Sequence, residues 1–174
     1  MEADVGKRLL GTNLPDVTLP ATDGADINLA VLPGRSVIAV YPWTGRPGTP
    51  NPPNWDDIPG AHGSTPELER FGALASRLAA LGAHLFGLSQ QDAAYQRELT
   101  QRLTLPFPIL SDAGQAFSAA LALPSFAASD QRYLKRLTLV ARDGKVEHVF
   151  HPVPDPATHA DDVLGWLEAR GVER

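Results

Sequence analysis

Residues 36–41, Ser-Val-Ile-Ala-Val-Tyr, run almost entirely apolar, without the alternation of a strand that has one face in water. Such a strand is covered on both faces, which confines the chain to architectures with a sheet between layers of helix. The segments around it supply those layers. Leu68, Phe71, Leu74, Leu78 and Leu81 recur at three- and four-residue spacing, predicting an amphipathic helix over residues 65–81 that ends at Gly82. Residues 83–88 read as the next strand and 92–103 as a second helix. A short strand over 107–110 leads through Ser111-Asp112 into a third helix at 114–123. Residues 134–141 and 145–150, separated by Arg142-Asp143-Gly144, predict a hairpin. The last helix, 157–169, presents Val163, Trp166 and Leu167 on one side. Near the start, Val17-Thr18-Leu19 and Ile27-Asn28-Leu29 flank Asp23-Gly24, the pattern of another hairpin. The order β-β-β-α-β-α-β-α-β-β-α implies an α/β fold: a central mixed sheet, helices on both faces and an N-terminal β-hairpin.

Without that first hairpin the plan is close to the thioredoxin-like fold. At 174 residues a chain can bury roughly 70% of the surface it exposes when unfolded, so the core needs no metal or disulfide to hold it. No repeat or linker divides the chain, and residues 1–174 read as a single domain. The prolines are uneven: seven of sixteen lie between Pro42 and Pro66. Residues 44–62, also rich in Gly and Asn, read as one long irregular loop inserted before the first long helix, and loops of that length are usually functional or disordered.

Fifteen basic against twenty acidic residues give a net charge of -5 with no Lys/Arg block, which excludes the electrostatic footprint of a nucleic-acid binder. An acidic membrane surface repels such a chain, the first residues carry no apolar signal region, and the longest mostly apolar stretch, 116–128, is too short to span a bilayer. Cytoplasmic residence is the expectation. There is no cysteine, so disulfides, thiolate-bound metals and thiol catalysis are all closed to the chain as it stands.

Open α/β sheets bind ligands beyond the carboxyl ends of their strands, which directs attention to the segment entering the first long helix. There Gly63-Ser64-Thr65-Pro66-Glu67 has the letters of a capping box, with Ser64 or Thr65 as N-cap and Glu67 three residues after Ser64. The same geometry also suits an anion, because a helix N-terminus offers unpaired N–H groups and a positive dipole end. A thiol placed there is acidified into a nucleophile, whereas a serine hydroxyl needs a base, and His62 is the nearby candidate. A Ser64–His62 hydrolase lacks the Gly-x-Ser-x-Gly elbow and an evident acid to orient the imidazole. His148, His151 and His159 suggest a metal cluster by number, but three-residue spacing sets the first two on opposite faces of a strand. Arg136, at the start of a strand, is either a surface residue or a buried cation needing a partner, for which Glu67 is the candidate.

Taken in order, Leu14-Pro15-Asp16-Val17-Thr18-Leu19, Val40-Tyr41-Pro42, Gly63-Ser64-Thr65-Pro66-Glu67, Pro108-Ile109-Leu110-Ser111-Asp112, Arg136-Leu137-Thr138-Leu139-Val140 and Asp143-Gly144-Lys145-Val146 resemble a peroxiredoxin. The likeness runs from about Gly11 to the last strand. It is strongest to the bacterioferritin-comigratory-protein or Q-type branch, whose active-site helix opens with Gly-Cys-Thr-x-Glu. The resemblance implies that Ser64 occupies the place of the cysteine that attacks a hydroperoxide and passes through a sulfenic acid before another thiol reduces it. It further implies that Arg136 is the arginine that acidifies the thiolate, that Glu67 holds that arginine, and that Pro42 begins the family's Pro-x-x-x-Thr-x-x-Cys signature. Three departures stand out. A long insertion separates Pro42 from Ser64, Ala61 replaces the usual Thr three residues before Ser64 so that the peroxide-binding hydroxyl is either absent or supplied elsewhere, with Thr44 as the candidate, and Glu69 stands where a resolving cysteine often sits.

Two functional expectations follow. The first is a thiol-peroxidase scaffold in which serine has replaced the nucleophile, by replacement or natural loss, so that the chain does not turn over peroxide. With a cysteine at position 64 its partners are a hydroperoxide and an external thiol reductant, with no cofactor, no nucleic acid and no membrane, as a monomer or homodimer. The second is a redox-silent thioredoxin-like binding module whose contact surface is loop 44–62, with Trp43 and Trp55 as its anchors.

Overall fold

A computed structural model describes residues 4–171 of the chain. Its centre is a five-stranded mixed sheet built from β3 (Arg35–Val40), β4 (Ala83–Ser89), β5 (Ile109–Ser111), β8 (Leu137–Arg142) and β9 (Lys145–Phe150), in the order β5-β4-β3-β8-β9. The first three run parallel, and β8 and β9 are antiparallel to their neighbours. All of β3 is buried, and its residues alternate between two cores. Val37 and Ala39 pack with Leu68, Phe71 and Leu78 of α2 (Ser64–Ala80), Leu99 of α3 (Ala93–Leu103) and Val163 and Leu167 of α5 (Pro156–Glu168). Ile38 and Val40 face the other way, toward Val5 and Leu9 of α1 (Val5–Leu9) and Phe117 and Leu121 of α4 (Ala116–Leu121). Burial on both sides explains why the segment lacks alternation.

Strand β1 (Thr18–Pro20) pairs with β2 (Asp26–Asn28) as the N-terminal hairpin. The chain preceding it runs across the molecule. Gly11 donates to the Val146 carbonyl and Val146 to that of Thr12, so this stretch lies along β9, while Ala21 and Thr22 pair with Leu110 and Ile109 of β5. One N-terminal segment thus touches both outermost strands of the sheet.

Three features differ from the sequence-based expectation. Helix α1 has only five residues, too few to show a period. A second small hairpin, β6 (Ser125–Ala128) with β7 (Gln131–Leu134), occupies a stretch for which no hairpin is expected. Its presence splits the expected strand 134–141: Leu134 ends β7, Lys135 donates its N–H to the Pro124 carbonyl, and β8 begins at Leu137. Arg136 therefore sits between two strands, free of ladder pairing, with its side chain turned inward. Helix α4 is shorter than expected because Asp112 folds back to accept from the N–H groups of Phe117 (3.0 Å) and Ser118 (2.9 Å), capping a helix that starts two residues later. Within the loop, a single 3-10 turn forms at Trp55–Asp57.

Candidate functional site

Helix α2 begins at Ser64, and its N-cap is Gly63, at φ 109°. Only glycine adopts that conformation without strain, and a Cβ at position 63 would also meet Pro156 Cγ at 2.9 Å. The capping box does not form. No side chain caps the helix, and Glu67 reaches back to Gly63 only through its backbone N–H (3.1 Å). Its carboxylate goes instead to Arg136, whose Nη1 donates both to Glu67 Oε1 (2.9 Å) and to Ser64 Oγ (3.1 Å). The other terminal nitrogen, Nη2, donates to the carbonyls of Gly60 (3.3 Å), Ala61 (3.2 Å) and His62 (3.2 Å). One guanidinium thereby fastens the end of the long loop, the first residue of α2 and a carboxylate one turn along it.

The arrangement is dry: relative exposure is 4% for Ser64, 4% for Arg136 and none for Glu67. Burial pushes the Glu67 carboxyl up to about 7 despite the opposing pull of Arg136. Nearby, His159 of α5 is also buried, with its Nε2 2.8 Å from Thr138 Oγ1, and burial aided by the Arg136 charge pushes it down to about 4. These two groups oppose each other in the pH dependence of stability. The neutral form of His159 is favoured by folding, so its contribution is complete above 6.5 and is lost as pH falls to about 4, an effect of about 3 kcal/mol. Glu67 is favoured by folding when protonated, so its contribution is complete below 4.5 and is lost as pH rises to about 7, again about 3 kcal/mol. Burial lowers His148 and His151 in the same sense as His159, so the expected result is a urea midpoint that climbs more steeply between pH 4.5 and 6.5 in a Glu67→Gln variant than in the parent chain. Parallel profiles for the two proteins would refute the pairing of effects.

Of the residues singled out from sequence, Ser64, Glu67 and Arg136 converge, and Pro42 does not join them through any hydrogen bond. Pro42 follows β3 and borders a separate cavity with Gln91 and Tyr95. Thr44 does not supply the expected hydroxyl: its Oγ1 donates to Gln91 Oε1 (3.1 Å), and its carbonyl accepts from Tyr95 Oη (2.8 Å). Ala61 is fully buried against Trp55 and Ala128, where a methyl group packs and a hydroxyl has no role. Glu69 is exposed on α2. His62 has an acid after all, with Asp56 Oδ1 3.0 Å from its Nδ1, but the pair is solvent-exposed and makes no hydrogen bond to Ser64. The other histidines separate: His148 stacks on Trp166, the His151 ring lies against the Arg136 carbonyl, and His159 is in the core.

A cavity of about 190 Å³ opens over Ser64, lined by Trp43, Gly45, Asn51, Trp55, His62, Gly63, Thr65 and Pro66. Its wall is the long loop, and that loop is anchored. Arg102 of α3 donates to the Gly45 carbonyl (3.1 Å), Arg46 pairs with Glu98 and lies over the Tyr95 ring, and Gln91 holds Thr44. Trp55, 5% exposed, packs against Trp43, Phe126 and Tyr133. The loop tryptophans expected to anchor a partner therefore face their own chain, which removes the motive for the binding-module expectation. Sequence reasoning missed Gln91, Tyr95, Phe126 and Tyr133, because each acts through a contact with the loop that no local pattern encodes.

The family model described as Redoxin matches residues 9–164. Peroxiredoxin Q of the chloroplast of Oryza sativa subsp. japonica is 26% identical over 166 residues, covering 94% of this chain and 69% of the relative. That of Suaeda salsa is 26% identical over 167 residues, with 95% and 70% covered. Among solved structures, the bacterioferritin comigratory protein of Xanthomonas campestris superposes with a TM-score of 0.72 at 25% identity, over 90% of this chain and 96% of that one. Peroxidoxin BcpB of Mycobacterium tuberculosis gives 0.73 at 25% identity, over 92% and 96%.

Proposed function

Since the chain belongs to the Redoxin family, in its peroxiredoxin Q branch, we propose that Ser64 stands where the peroxide-attacking cysteine of that branch stands, with Arg136 and Glu67 framing it and Pro42 beginning the segment that leads to it. The scaffold is that of a thiol-dependent hydroperoxide reductase, and the chain has no thiol. One observation carries the assignment of the site: Arg136 Nη1 is shared between Ser64 Oγ and Glu67 Oε1 at the head of α2. A thiolate at that position would gain both the guanidinium and the dipole end of the helix.

Serine cannot replace it chemically. A thiolate attacks the distal peroxide oxygen, the O–O bond breaks, an alcohol leaves and sulfur is oxidised to a sulfenic acid. Two equivalents of an external thiol then return the sulfur to its reduced state, releasing water and a disulfide. Attack by a serine oxygen would exchange one O–O bond for another and reduce nothing. The chain is therefore inactive as a peroxidase. Ser64→Cys is expected to consume hydroperoxide when supplied with a dithiol, with the parent chain as the blank, and an unchanged rate would overturn the assignment of position 64.

The same reading covers partners and location. An external thiol is the reductant, because no second thiol exists to resolve the sulfenic acid. We propose a cytoplasmic monomer or homodimer, for which the net charge of -5 argues only by opposing non-specific association. Among the described residues no helix is long and apolar enough to cross a membrane. Sedimentation at micromolar concentration distinguishes monomer from dimer, and a higher assembly would contradict both.

A further inference from the structure

We propose that Trp43 and Trp55, both contributed by the segment between β3 and α2, select the organic group of the peroxide, and that the site prefers an aryl hydroperoxide over hydrogen peroxide. The inference rests on the reading of Ser64 as the reaction position. The cavity over Ser64 has two indole rings in its wall, 5.4 Å apart and edge to face. Trp55 is buried and Trp43 only half-buried, so Trp43 has ring surface left to offer a ligand. Aromatic faces bind apolar and aromatic groups through area and ring geometry, and neither gain is available to hydrogen peroxide.

Size admits a ring. A cavity of about 150 Å³ holds a benzene ring. The 190 Å³ here therefore has room for one ring plus a peroxy group. The wall does not yield easily. Thr44, next to Trp43, is held through its N–H and hydroxyl by Gln91 and through its carbonyl by Tyr95, and Trp55 is wedged against Phe126 and Tyr133 of the β6–β7 hairpin. A fixed aromatic wall discriminates by shape, which a loose loop does not.

The parent chain is well suited to the test because, having no thiol, it leaves the added peroxide unconsumed. Calorimetric titration of the parent is expected to give cumene hydroperoxide at least tenfold tighter binding than hydrogen peroxide. Trp43→Ala is expected to weaken cumene hydroperoxide at least tenfold. In the Ser64→Cys background, the same change is expected to lower the ratio of kcat/KM for cumene hydroperoxide over hydrogen peroxide by at least tenfold, while Trp166→Phe, remote from the site, leaves that ratio alone. Equal affinity of the parent for the two peroxides overturns the proposal even if Trp43→Ala does not fold. A Ser64→Cys chain that is active but whose selectivity ignores Trp43 overturns it as well. If Ser64→Cys is inactive while the parent still ranks the peroxides as expected, it is the assignment of position 64 that fails and the ligand preference of the cavity that stands.

Discussion

Replacing Arg136 by methionine is expected to destabilise the parent chain by about 3–5 kcal/mol and, in a chain carrying Ser64→Cys, to lower hydroperoxide turnover by about 10²–10³-fold. Both effects come from one buried guanidinium. Its removal leaves Glu67, with no exposure at all, beside an apolar group, and strips the carbonyls of Gly60, Ala61 and His62 of a shared donor. A buried carboxylate without its cation either stays charged at high cost or takes up a proton, and each route weakens the fold. For a domain of this length the loss corresponds to a fall in Tm of roughly 10 °C. Adding Glu67→Gln to Arg136→Met is expected to recover part of the loss, since it removes the stranded charge, and urea denaturation of the four proteins in this cycle measures the coupling. A single-mutant cost below about 1 kcal/mol would show that Arg136 does not hold the site together. Catalytically, the introduced thiol would lose the cation that favours its ionised form and keep only the helix end.

Gly144→Ala is the second large effect, expected to cost more than about 3 kcal/mol. Gly144 follows Asp143 in the turn between β8 and β9 at φ 78°, and its carbonyl accepts from Leu14 N–H at 2.7 Å. A Cβ there would overlap the carbonyl oxygen of Ala30. Backbone rather than a movable side chain is the obstacle, so relief requires shifting the end of the N-terminal hairpin. Gly24 provides the control: its φ is 90°, yet nothing lies within 4 Å of a Cβ, so alanine there costs only the left-handed strain of about 1–2 kcal/mol. Thermal melts that place the two variants level would refute the close approach at Gly144.

Much of the fold was legible from sequence because its strongest signals are local. Strand β3 betrays its double burial by lacking alternation, and α2 shows its inner face in Leu68, Phe71, Leu74 and Leu78. The hairpin β6–β7 was not legible: its turn uses Ser129 at φ 53°, where a glycine would have advertised the left-handed conformation, and its apolar pairing of Phe126 with Tyr133 serves the loop rather than the main core. Ser64 to Glu67 illustrates a deeper limit. The letters Ser-x-x-Glu are the same whether the carboxylate turns back on the helix end or meets an arginine 69 positions away, and the second partner decides. The resemblance to a family placed Arg136 beside Glu67, where local pattern alone left its environment open. What neither supplied was the wall over Ser64, which depends on Gln91, Tyr95 and Arg102 holding a loop distant in sequence.

The N-terminal segment that pairs with β9 at residues 11–14 and with β5 at residues 21–22 has a consequence for behaviour in concentrated solution. An open sheet carries unpaired N–H and C=O groups along its two borders, and those rows template pairing with other chains. Here a single stretch of backbone partly occupies both. A chain cut off ahead of β2 would bare the two borders at once, so that self-association into β-rich aggregates would accompany the stability lost with the buried Val5, Leu9, Leu14 and Leu19.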